Sequence, residues 1–257
     1  MRTIDALTIE DEKSFRHVAL YADLKEILRK RAYHFRVLPV GLTDRWDRAL
    51  LLNLTFWDAS TGGDVLAGER IDADVVTHVG WHHLAAAAFP TGGERPSADA
   101  LVLGEAIASA FDVFLVGRLL GHASKSSFLE TQVPAMADAA SAAGLSERAF
   151  ESLLESIADD PDRAFEDLRA LLFDATMALI ACDGPERGLA ALGEFDAHRF
   201  APLLHRYELS TWVLFARAHA RSPFVPDPRV TAVDRFMRNA AVSLDWLVSE
   251  WVTPALR

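Results

Sequence analysis

Residues 97–121 read SADALVLGEAIASAFDVFLVGRLLG, and the fold class turns on how that stretch is read. Apolar residues fill it without the period-two alternation of a half-buried strand, and Ser97 with Asp99 supplies a capping oxygen and an acidic first turn. The spacing predicts a helix over 97–121. Asp112 interrupts the apolar run, and Glu105 and Arg118 flank it, so it falls short of an uncharged membrane span. Outward from it, apolar residues recur at helical spacing almost everywhere, as in Phe15, Val18, Ala19, Ala22, Leu24 and Ile27. The reading is an all-α, single-domain protein over 1–257, with about ten helices at 12–34, 44–58, 72–89, 97–121, 126–143, 146–158, 161–183, 186–193, 197–220 and 228–252.

Start signals support several of these helices. Thr43 precedes DRWDRALLL, Ser146 precedes ERAFESLLE, and Asp160-Pro161 opens DRAFEDLRALL. The breakers STGGD (60–64), PTGGERP (90–96), Gly184-Pro185 and SPFVPDP (222–228) are each short enough to be loops inside one domain. Residues 37–43 and 64–71 are candidates for short extended pieces, which makes at most a minor β element. No fixed-period repeat is visible, which disfavours a solenoid.

The 257 residues are 51% hydrophobic and 25% charged, a composition that folds without a metal or disulfide staple. A net charge of −11 repels phosphate backbones, so nucleic acid is not an expected partner, and with no stretch approaching roughly eighteen uncharged apolar residues neither is a membrane. The single cysteine, Cys182, excludes an intramolecular disulfide and reads as a buried thiol in a reducing compartment. The opening MRTIDALTIEDEKSFRH is acidic and polar where a signal peptide needs a basic start and an apolar core. A cytoplasmic setting is expected.

Three of the nine histidines, His78, His82 and His83, fall in DADVVTHVGWHHLAAAAF. Residues four apart share a helix face, so His78 and His82 can offer two imidazole nitrogens to one ion, whereas His83 points about a hundred degrees away. The next helix supplies Glu105 in an otherwise apolar run. Burying that carboxylate is costly without a cation or hydrogen-bond partner, and the same holds for Asp112 on the same face.

At these residues the chain resembles the thermolysin-like gluzincin zinc metallopeptidases, whose metal helix reads DVVxHExxH and whose following helix reads NEAxSDxF. Here the strings are DVVTHVGWH and GEAIASAFD, over about forty residues. The resemblance implies that His78, His82 and Glu105 are metal ligands and that the ion is zinc; the same donors also suit Fe(II). Val79 replaces the general-base glutamate, and Ser109 stands where the family has an acidic residue that orients a ligand, with Asp74 or Asp112 as substitutes. Loss of the base removes about 10²–10⁴-fold or more of hydrolytic rate. The expectation is a pseudo-metallopeptidase, with an inert helical interaction protein carrying a relic site as the alternative.

Other candidates are weaker. In LLHRYELSTW, His205 and Tyr207 are possible proton donors, and Asp112, Glu208 or His205 are possible replacement bases. His122 reads as a C-terminal capping residue of the Glu105 helix. Trp46, Trp57, Trp81 and Trp246 read as core anchors. There is no GxGxxG after a strand, GxxxxGK[ST], GxSxG or Cys-x-x-Cys. No small-molecule or protein partner is specified by the sequence.

Overall fold

The computed structural model describes residues 1–56, 63–123, 125–222 and 224–257. The chain is 69% helical with a few short strands, in agreement with the all-α reading. It gathers into two compact units, Met1–Ala88 with Val248–Arg257, and Phe89–Leu247.

The first unit contains β1 (Arg2–Thr3), β2 (Thr8–Glu10), α1 (Glu12–Phe15), α2 (Ala19–Lys30), β3 (His34–Val37), α3 (Trp46–Phe56), β4 (Val65–Leu66), β5 (Arg70–Asp72) and α4 (Ala73–Ala88). One sheet has the order β1-β3-β4, with Arg2 opposite Phe35 in an antiparallel pair and Arg36 opposite Val65 in a parallel one. The second sheet is β2 parallel to β5, with Ile9 opposite Ile71. Tyr21, Leu24, Ile27 and Leu28 line the buried stripe of α2, which packs on α4. Their approach is close at Gly80: a Cβ there would lie 3.0 Å from the Leu24 Cβ.

The helix expected over 12–34 is two helices and a strand. Val18 is extended, at φ −93° and ψ 101°, and both it and Phe15 are buried. Ala32, with φ 48°, then turns the chain into β3. The helix expected from 44 starts at Trp46 because Asp44 is left-handed, with φ 66°. The Thr43 hydroxyl donates to the Val40 carbonyl at 2.9 Å, so it is no N-cap. The expected end at 58 lies outside the described residues.

The second unit is built on α5 (Ala98–Leu119), followed by α6 (Ser127–Ala142), α7 (Glu147–Asp159), α8 (Pro161–Ile180), α9 (Pro185–Gly193), α10 (Leu209–His219), α11 (Pro228–Asn239) and α12 (Ser243–Leu247). Nearly every residue of α5 is buried, with α8 its principal neighbour. Although long and apolar enough to cross a membrane, it is 83% buried over its most apolar window, as the core helix of a folded unit is. Gly117 permits the contact with α7 and α8, since a Cβ there would sit 2.5 Å from the Ile157 carbonyl oxygen. Ser97, Ser146 and Asp160 accept from Ala100, Ala149 and Arg163 N–H groups, the capping expected of them.

Two further expected helices are interrupted. Residues 197–220 divide into a 3-10 turn, Ala201–Tyr207, and α10, broken at left-handed Glu208 with φ 48°. Residues 228–252 divide at Ala240, which is extended at φ −70° and ψ 146°.

Candidate metal centre

Helix α4 leaves β5 without a loop, which fixes its first turn. Val76, Thr77, Val79, Gly80, Trp81, Leu84 and Ala85 are buried, leaving His78, His82 and His83 half-buried. One helical turn separates His78 from His82, and their Nε2 atoms stand 3.1 Å apart. Two ligands on one tetrahedral zinc, with bonds of about 2.0–2.1 Å, are separated by about 3.3 Å, so the spacing fits a chelate. It equally fits a hydrogen bond in which one ring donates and the other accepts.

Glu105 is half-buried in α5, and the Ser109 hydroxyl donates to its Oε1 at 3.3 Å. His78 and His82 belong to the first unit and Glu105 to the second. Within the first unit the two histidines that the sequence singles out form a pair at chelating distance, and in the second unit Glu105 is a carboxylate donor held by Ser109. The donor set fits a divalent cation chemically, because neutral imidazole and carboxylate together suit zinc. Ser109, which the resemblance treats as a lost acidic residue, instead donates to the Glu105 carboxylate. The i, i+4 spacing of Glu105 and Ser109 is the sequence signal for that contact.

The neighbours divide clearly. His83 packs edge-on against the Tyr33 ring at 5.6 Å between centroids, away from the ligand pair. Burial, helped by the Arg31 charge, lowers its pKa. Asp74, one turn before His78, is pushed up to about 6 by burial first and by Asp72 second. Val79 is buried and 5% exposed, so the position next to the first histidine presents no proton acceptor.

Among the weaker candidates, Tyr207 is half-buried and its pKa is raised by burial, with the Arg206 charge opposing and the Asp112 charge adding to the rise. Arg206 donates to Gln132 Oε1. His205 and Glu208 are exposed. His122 is exposed beyond the end of α5, where its backbone N–H donates to the Leu119 carbonyl at 3.0 Å.

The thiol of Cys182 is half-buried, a correction to the buried reading. Cys182 lies past the end of α8, and its Sγ is 3.2 Å from the Ala178 carbonyl oxygen. Trp81 is fully buried and Trp246 stacks on Phe236, but Trp46 is 70% exposed and so is no core anchor; Trp57 lies outside the described residues. Compared with family models, with curated proteins and with solved structures, the chain matches none.

Proposed function

We propose that this chain is a metal-binding helical protein that holds one divalent cation, zinc by preference, on His78, His82 and Glu105. The two imidazoles at chelating distance on one face of α4 carry the reading, and the resemblance supplies Glu105 as the third ligand. The ligand set is similar to that of a gluzincin, and the missing carboxylate at Val79 makes it a pseudo-metallopeptidase. A bound zinc supplies Lewis acidity at its open position. The chain's own part is to present two neutral imidazoles from one helix face and to restrain Glu105 through Ser109. Nothing at Val79 takes the proton that amide hydrolysis must move. A reducing, cytoplasmic setting suits the single thiol, and the acidic surface opposes a nucleic-acid partner.

A second reading is a metal-free interaction protein in which the site is a relic, and the 3.1 Å imidazole pair favours it by satisfying one nitrogen with the other. The two readings separate experimentally. Protein purified without chelator should carry about one zinc per chain, as measured by elemental analysis, and His78→Ala/His82→Ala should carry none. Removing the metal with EDTA should lower Tm by about 5–10 °C, with zinc restoring it, because a ligand at a hundred times its Kd stabilises by about 2.7 kcal/mol. Absence of bound metal together with a Tm indifferent to EDTA and zinc would establish the relic.

A further inference from the structure

Helix α3 is held to its own unit by a polar contact and turns its apolar residues outward. The Asn53 side chain donates to the Val65 carbonyl at 3.0 Å and accepts from the Val65 N–H at 2.6 Å, which pins the helix against β4. Ala49 is buried on the same side. On the adjoining face Trp46 is 70% exposed, Leu50 50%, Leu51 58% and Leu54 38%, and the preceding turn adds Val40 at 94% and Leu42 at 42%. A solvent-facing helix has the opposite pattern. The largest apolar patch of a typical monomer is roughly 300–600 Å², and these six exposed side chains are of that order.

We infer that this face is a two-fold contact between two copies of the chain, with α3 packed antiparallel on α3. Three observations select this occupant. Two patches of that order would bury roughly 600–1,200 Å², reaching the lower end of stable specific interfaces. The helix is symmetric about Leu50: Trp46 and Leu54 each lie four residues away, so antiparallel pairing sets Leu50 against itself and each Trp46 against the other copy's Leu54. The ionisable groups sit at the first turn, where Asp47 pairs with Arg45 at 2.5 Å and Arg48 at 3.7 Å, and residues 49–55 carry none. No charge is desolvated at the centre and no like charges meet there, and antiparallel helix dipoles attract. A bilayer is the poorer occupant, since a net charge of −11 opposes approach to anionic lipid.

Sedimentation velocity of the full chain at tens of micromolar and physiological salt should give twice the mass of the chain. Leu50→Lys, which sets two ammonium groups on the axis, should give the single-chain mass with an unchanged circular dichroism spectrum. Should that variant fail to fold, Leu50→Cys in a Cys182→Ser background provides the second reading, since oxidation should crosslink it to itself. A wild type that stays at single-chain mass overturns the inference. So does a dimer that survives Leu50→Lys, or a monomer that floats with phosphatidylcholine–phosphatidylserine vesicles.

Discussion

Val79 stands one residue after the first histidine of the pair, at 5% exposure in the buried side of α4. Placing a glutamate there restores the carboxylate that gluzincins carry but puts a charge among apolar neighbours, which costs several kcal/mol unless a cation compensates. Val79→Glu is therefore expected to lower the stability of the metal-free protein by about 2–4 kcal/mol in urea unfolding, and zinc should raise its Tm more than that of the wild type. An equal zinc response in both proteins would place position 79 out of reach of the ion. The ligand candidates were legible in the sequence because their information is local. His78 with His82, and Glu105 with Ser109, are i, i+4 pairs, and helical geometry alone puts such residues together. The packing of His83 was not legible in the same way: it depends on Tyr33, which the sequence reading left inside a helix and the structure places just before β3.

Among elements, the long apolar or well-capped helices were legible and the broken ones were not. Ser97, Ser146 and Asp160-Pro161 mark helix starts chemically, and the structure uses all three. The breaks at Val18, Asp44, Glu208 and Ala240 carry no glycine or proline, so local propensity is silent about them. The strands have two to four residues, too short to display alternation, and owe their existence to partners distant in the chain, such as Arg2 with Phe35. A second feature invisible to pattern is the ion network joining α8 to α11. Arg169 is fully buried, donating to Glu166 on its own helix at 2.6 and 2.9 Å and to Asp234 on α11 at 2.7 Å. Arg238 extends the network by binding both Asp234 and Asp174. Arg169→Leu sets an apolar side chain against Glu166 and leaves Asp234 to Arg238 alone, and breaking a buried pair by removing one partner costs about 3–5 kcal/mol. Guanidinium unfolding should show that loss at neutral pH. A loss below about 1 kcal/mol would mean that the network is solvated and that apolar packing alone holds α11 on α8.

For the whole molecule, stability against pH sums groups of opposite sign. His83 and His198 have lowered pKa values, chiefly through burial, so the stability they contribute is present above the unfolded value of 6.5 and is lost as pH falls through their folded values. Asp74 works the other way. Its unfolded pKa is 3.8 and its folded pKa about 6, because burial and then the charge of Asp72 disfavour the carboxylate. The fold gains from its neutral form fully below pH 3.8, and that gain disappears as pH rises to about 6. A shift of that size corresponds to at most about 3 kcal/mol, and to about 1–3 kcal/mol for a half-buried side chain. Asp74→Asn, neutral at every pH, should be more stable than the wild type by that amount at pH 7 and level with it below about pH 4, the difference opening between those limits. Urea titrations of both proteins in EDTA across pH 4–7 measure it without interference from metal binding. A difference that stays constant across that range would assign the effect to the amide's own contacts and remove Asp74 from the pH response.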